Sequence, residues 1–170
     1  MIERLFRTHH TPCVVTAGTF DGVHCGHRTL VARAAHVARS RGLPLTAVTF
    51  SPRPDAVAKP PGLPDLCGLD ERVIRLKRAG ANDVVVVPFT RALMGMPAAE
   101  FVEHLVDHLG MRALVVGEDF ALGRGREGTP DAIRALGVDV ETVPLLHEVG
   151  RREKISSSTL RARLAVAHAA

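Results

Sequence analysis

An apolar run, Cys13-Val14-Val15-Thr16-Ala17, leads directly into Gly18-Thr19-Phe20-Asp21-Gly22-Val23-His24-Cys25-Gly26-His27, and a helix-forming stretch follows from Arg28-Thr29-Leu30-Val31 onward. The run reads as a buried strand. Gly18, Gly22 and Gly26 permit a tight turn and the close approach of a ligand to the backbone. A strand that turns through glycines into a helix leaves the N–H groups of the helix's first turn, and the positive end of its dipole, facing the bend. An anion, above all a phosphate, is favoured there before any side chain is considered. His24 and His27, three residues apart around the helix start, lie on one side and can both donate hydrogen bonds to the same phosphate. The spacing is neither the GxGxxG of a dinucleotide fold nor the GxxxxGK of a P-loop.

The rest of the chain alternates strand and helix. The first helix reads to about Arg41, Gly42-Leu43-Pro44 breaks it, and Leu45 to Phe50 is a second strand. Pro52, Pro54, Pro60, Pro61 and Pro64 predict an irregular connection, of a length that is usually functional or mobile. Asp70 reads as the N-cap of a helix over Glu71 to Arg78 that Gly80 ends, and Asp83 to Val87 is a continuous apolar strand. Pro97 fits the first turn of a helix whose Phe101, Leu105 and Leu109 line one face before Gly110 stops it. Arg112 to Val116 reads as a fourth strand, Thr129-Pro130 opens a short helix to Leu136, Val138 to Val143 is a fifth strand, and Ser156 to Ala167 is a last helix. This alternation predicts a Rossmann-like, doubly wound α/β domain with a parallel sheet of about five strands and helices on both faces. Ligands in such sheets sit at the carboxyl ends of the strands. The loop after the first strand and the loop Gly117 to Gly128, which carries Glu118, Asp119, Phe120, Arg124 and Arg126, therefore belong on one face.

At 170 residues and 46% hydrophobic composition, one domain over 1–170 is expected. No apolar run approaches a membrane span and the N-terminus lacks a signal-peptide layout, so a cytoplasmic protein is expected. Cys13, Cys25 and Cys67 are odd in number, widely spaced and without a CxxC pair, and read as reduced thiols. The net charge of +4 is modest, the arginines are scattered, and the six phenylalanines form no base-stacking pattern, which argues against nucleic acid. His104 and His108 are four apart on a helix, but no HExxH pattern accompanies them, and they read as a plain helix face.

Taken together, Gly18-x-Phe20-Asp21-Gly22-Val23-His24-x-Gly26-His27, Gly117-Glu118-Asp119-Phe120 and the late Ser156-Ser157-Ser158-x-Leu160-Arg161 resemble the FMN adenylyltransferase module of bacterial FAD synthetases, within the HxGH nucleotidyltransferases. The resemblance runs in order from Cys13 to Leu164, with Phe50-Ser51-Pro52-Arg53-Pro54 and Pro88-Phe89 at matching places. It implies transfer of AMP from ATP to FMN with Mg²⁺, giving FAD and pyrophosphate. By the same resemblance His24, His27, Ser156 and Arg161 are the catalytic donors to the ATP phosphates. Gly18, Thr19, Phe20, Asp21, Gly26 and Ser157 belong to the ATP site, and Arg53, Asp119, Phe120, Arg124 and Arg126 to the acceptor site. The implied partners are ATP and FMN, with no nucleic acid and no membrane.

Two departures from the family pattern fall near the acceptor, Arg53 in place of a histidine and Ala121-Leu122 in place of Arg-Phe, and the Leu66 to Arg72 stretch is altered as well. Arg53 and Leu122 would allow another phosphorylated acceptor; a non-catalytic nucleotide or flavin sensor is a separate alternative, against which the intact His24, His27 and Arg161 argue. The riboflavin kinase domain that usually follows lies beyond the resemblance, so the chain is either monofunctional or one domain of a longer protein.

Overall fold

The computed structural model describes residues 11–59, 64–144 and 160–161. Five strands form one all-parallel sheet: β1 (Cys13–Ala17), β2 (Leu45–Ser51), β3 (Asp83–Pro88), β4 (Met111–Gly117) and β5 (Val140–Val143), in the order β3-β2-β1-β4-β5. Side chains alternate along each strand, so both faces must be covered. Val14, Ala113 and Val115 pack with α1 (Cys25–Ser40) and α3 (Leu69–Ala79), whereas Val15, Leu114 and Val116 pack with α5 (Ala98–Leu109) and Ile133 of α6 (Pro130–Ala135). The one-face spacing of Phe101, Leu105 and Leu109 buries them as the sequence predicts.

The order reverses at the centre. From β1 the chain crosses through α1 to β2 on one side, while β4 and β5 lie on the other, and a crevice opens where the loops after β1 and β4 diverge. Residues 18–24 and 118–128 are those loops.

Several boundaries differ from expectation, each for a local reason. Helix α1 begins at Cys25 rather than Arg28, after a 3₁₀ turn over Asp21–Val23, so Gly26 and His27 lie in its first turn and His24 is its N-cap. The proline-rich connection is not wholly irregular. Pro54 opens a short helix, α2 (Pro54–Ala58), at the first helical position, where the missing N–H would have had no intrahelical partner anyway. Asp70 is not the N-cap of α3. Gly68 is, and Asp70 sits with Glu71 in the first turn, where the dipole favours an acid. Pro97 caps α5 instead of starting it, and a one-turn helix not foreseen from the sequence, α4 (Arg91–Met94), precedes it with the Thr90 hydroxyl accepting from the Leu93 N–H. Gly80 and Gly110 end α3 and α5, and Thr129 caps α6, as read. Of the last helix expected over 156–167, Leu160 and Arg161 are helical and the remainder lies outside the described residues.

Candidate active site

The turn after β1 is strained and held from several sides. Phe20, Gly22 and Val23 all have positive φ (51°, 75° and 43°), a conformation that costs a β-branched valine in particular. The surroundings fix it. Asp21 accepts a hydrogen bond from the Leu66 N–H at 2.9 Å, the Gly22 carbonyl accepts from Arg75 at 2.8 Å, and the Thr19 carbonyl accepts from the Thr49 hydroxyl at 2.9 Å. The Phe20 ring folds under Gly18 and meets His27 edge-on, with centroids 5.3 Å apart.

The turn delivers two stacked imidazoles. His24 and His27 lie 3.6 Å apart at 23°, and the Nδ1 atoms of both are buried without a hydrogen-bond partner among the described residues. Burial pushes His27 down to about 3, with His24 and Arg72 adding to the shift. Burial also pushes His24 down, opposed by Asp21 and assisted by Arg28. Both rings are thus neutral near pH 7, each with one donor and one acceptor nitrogen. Two neutral rings thus stand at the start of a 16-residue helix, the end of a helix that favours an anion.

His27 lines a cleft of about 680 Å³ together with Gly18, Thr19, Asp55 and Arg161. A second group of lining residues is apolar: Phe50, Phe89, Phe101 and Phe120, with Leu93 and Leu122. These belong to one hydrophobic cluster, and Phe50 touches both Phe89 (5.6 Å, edge-on) and Phe101 (6.2 Å). Of this wall, sequence reasoning named Phe120 as an acceptor contact and missed the rest, although Phe50 and Phe89 fall at or just past the carboxyl ends of β2 and β3. The rule that ligands bind at those ends was the signal that could have found them.

The loop after β4 supplies Asp119, Ala121, Gly123 and Arg126 to the same cleft. Its glycines do not leave it loose. Leu122 and Gly128 exchange backbone hydrogen bonds at 3.2 and 2.9 Å, Arg126 donates to the Asp119 carbonyl, and the Glu127 carboxylate accepts from the Ala98 N–H at the start of α5. Arg124 is exposed and does not line the cleft.

The expected site residues therefore separate into layers. Gly18, Thr19, His27, Asp119, Phe120, Arg126 and Arg161 share the cleft. His24 and Gly26 adjoin it at the helix start. Phe20, Asp21 and Arg53, expected to contact ligands, lie buried behind the wall. Burial pushes the Asp21 carboxyl up, against the opposing Leu66 hydrogen bond and Arg53 charge. Ser156 and Ser157 lie outside the described residues. Among the described residues no group of three metal-ligating side chains occurs, and no helix is long and apolar enough to cross a membrane. Cys13, Cys25 and Cys67 are free thiols.

An all-parallel sheet whose order reverses beside a histidine-bearing helix start is the framework of the Rossmann-like nucleotidyltransferases, and this protein has that fold. More narrowly, the chain belongs to the FAD synthetase family, whose sequence pattern matches residues 6–159. It is 36% identical over 166 residues to a bifunctional riboflavin kinase/FMN adenylyltransferase of Pseudomonas fluorescens, covering 95% of this chain and 53% of that protein. It is 32% identical over 161 residues to an FAD synthetase of Listeria monocytogenes, covering 91% and 64%. The chain spans about half the length of most curated relatives it matches. A solved Streptococcus pneumoniae structure described as a macrolide-efflux protein shares the fold with a TM-score of 0.81 and 27% identity, over 89% of this chain and 52% of that one. Thermus thermophilus pantothenate synthetase has the same general fold, with a TM-score of 0.55 and 17% identity, over 94% and 64%.

Proposed function

We propose that residues 1–170 act as one adenylyltransferase module that joins the AMP part of ATP to the phosphate of FMN, releasing pyrophosphate and forming FAD. The observation that carries this reading is the composition of this cleft: hydrogen-bond donors at a helix start on one wall and four phenylalanines on the other. A polyphosphate suits the first, and a large planar ring suits the second. The relatives are named for this same activity.

A phosphate monoester is largely dianionic at neutral pH, with its second pKa about 6, so it attacks without a general base. An FMN phosphate oxygen forms the new bond to the α-phosphorus of ATP, the bond to the bridging oxygen breaks, and pyrophosphate leaves with that electron pair. Negative charge grows on the transferring group and on the leaving pyrophosphate. The N–H groups of the α1 start, His27 and Arg161 face that charge, His24 supports His27 by stacking, and Ser156 and Ser157 complete the donor set in this reading. Phe120, Asp119 and Arg126 hold the acceptor.

Mg²⁺ carried on the nucleotide would keep most of its waters and need only one or two carboxylates; Asp119, which lines the cleft, would be placed to hold it, and the ion would supply neutralisation of phosphate charge. The reading implies a cytoplasmic enzyme with no nucleic-acid or membrane partner.

The test is pyrophosphate release from purified protein supplied with ATP and Mg²⁺, with and without FMN, with the product identified by mass. FAD as the product is expected. Turnover with a different phosphate monoester but none with FMN keeps the ATP wall and overturns the acceptor. Tight ATP binding without release from any acceptor identifies a sensor instead.

A further inference from the structure

A cluster of paired charges lies behind the cleft wall: Arg53, Arg72, Asp21 and Arg161 are buried, while the carboxylates of Asp55 and Asp65 are about half exposed. Arg53, fully buried, donates from Nε to Asp65 Oδ1 at 2.5 Å and from Nη1 to Asp55 Oδ2 at 2.9 Å. Asp65 also accepts from Arg72 Nη2 at 3.1 Å, and Arg72 Nη1 donates to the Phe50 carbonyl at 2.9 Å. At the other end, the same Asp55 Oδ2 accepts from Arg161 Nη1 at 3.1 Å, while Arg161 Nε stands 3.8 Å from Asp21 Oδ2. Three arginines and three aspartates make the cluster formally neutral, so it can be packed inward without a net charge to solvate. Only Asp55 and Arg161 of the six reach the cleft.

The order of the links matters. A half-exposed aspartate paired with one surface arginine would hold it weakly, because both side chains could move away into water. Here the aspartate is gripped from behind by an arginine that cannot move, since Arg53 is enclosed and already joined to Asp65. Asp55 becomes a fixed anion on the cleft wall. Arg161, nine-tenths buried between two carboxylates, is thereby fixed in position and direction. A guanidinium recognises phosphate through a planar fork, so its direction decides how well it meets the transferring group.

We infer that Asp55 is a positioning residue that aims Arg161 at the reacting phosphates, and that Arg53 acts on the reaction through Asp55 rather than by touching the acceptor. This rests on the adenylyl-transfer reading above. It also explains why an arginine at position 53 lies behind the cleft: its role is to anchor Asp55.

The test is a double-mutant cycle with two independent readouts. Asp55→Asn keeps the size of the side chain and removes its charge. It is expected to lower kcat about tenfold, with FMN affinity in the absence of ATP, measured by flavin fluorescence, changed less than about twofold. In the Arg161→Ala background the same substitution should cost nothing further in kcat/KM for ATP, because the residue through which it acts has gone. Arg53→Lys, which keeps charge but loses the fork, should follow Asp55→Asn and spare FMN affinity. Asp55→Glu, a milder change, serves if the asparagine variant does not fold.

The inference is overturned if Asp55→Asn lowers only the melting temperature and leaves kcat of the folded protein intact, which marks a staple without a catalytic consequence. It is equally overturned if its effect adds in full to that of Arg161→Ala, or if Arg53→Lys weakens FMN binding. The second readout is calorimetric binding of inorganic tripolyphosphate, which should weaken in Asp55→Asn only while Arg161 is present. That measurement decides the point even if FMN proves to be the wrong acceptor, whereas failure of wild-type protein to adenylate FMN counts against the parent reading alone.

Discussion

The part of the polar wall that carries His27 comes from one continuous stretch, Gly18 to His27, with Asp55 and Arg161 beside it, whereas the apolar wall draws Phe50, Phe89, Phe101 and Phe120 from β2, the chain after β3, α5 and the loop after β4. The first is made by local backbone geometry, with three positive-φ residues pinned by hydrogen bonds from Leu66, Arg75 and Thr49. The second exists only because the sheet brings distant strand ends together. A wall of the first kind can fix directional donors on a reacting phosphate. The second kind supplies area and shape to a ring system, with little control over charge. The division of labour follows: the histidine wall should govern turnover and the phenylalanine wall acceptor affinity.

The largest expected effect falls on the first wall. His27→Ala should lose roughly 10²-fold or more in turnover, by analogy with removal of an oxyanion donor, while FMN affinity without ATP stays near wild type. Steady-state pyrophosphate release and flavin fluorescence read the two quantities. Equal losses in both would erase the distinction between the walls, and an unchanged rate would remove His27 from the chemistry.

Gly123→Ala comes next and acts on the second wall through the backbone. Gly123 has φ 75°, and a Cβ there would sit 2.7 Å from backbone atoms of Ala98 at the start of α5, so the loop after β4 must move off the helix. A stability loss of about 1–3 kcal/mol is expected by thermal denaturation. FMN affinity should fall while tripolyphosphate affinity stays unchanged. A matching loss of tripolyphosphate binding would show that the walls are mechanically coupled. Phe120→Ala should be smaller still, weakening FMN binding by about tenfold through lost ring contact and leaving kcat at saturating FMN within about twofold.

The same contrast explains what could be read in the sequence. The strand, glycine turn and histidine pair at 13–27 are contiguous, and their spacing alone placed both histidines around a helix start, which the structure shows with the start shifted to Cys25. The parallel sheet was equally legible, because β1, β3 and β4 are apolar runs between capped helices. What was not legible depended on long-range packing. Arg53 read as an acceptor contact because the Phe50-Ser51-Pro52-Arg53-Pro54 stretch matches a family motif near the acceptor, and nothing local shows that Asp65 and Asp55 turn it inward. Phe101 read as a core residue of its helix, which it is, and its second surface faces the cleft. Asp55 carried no signal, because an aspartate after a proline usually marks only a helix start.

The smallest expected effect concerns pH and separates the walls by which of them titrates. The folded pKa of His27, about 3, lies below its ordinary value of 6.5, so as pH falls through 6.5 the unfolded chain takes up a proton that the folded protein refuses. Between 6.5 and 3 the unfolded state therefore binds more protons, stability declines with acidification, and below 3 this group contributes no further slope. His24, also shifted down by burial, acts in the same direction. His27→Gln should flatten the limb, shrinking the fall in melting temperature between pH 7 and pH 5 by about 2–4 °C. Tripolyphosphate should flatten it in the wild type as well, since an anion beside the unmet Nδ1 atoms favours the protonated ring. Riboflavin, which has the ring of FMN without its phosphate, should leave the slope as it is, because the phenylalanine wall offers no proton site. A limb that responded to riboflavin as strongly as to tripolyphosphate would mean that filling either wall reorganises the histidines, and the cleft would then be one cooperative unit rather than two surfaces with separate tasks.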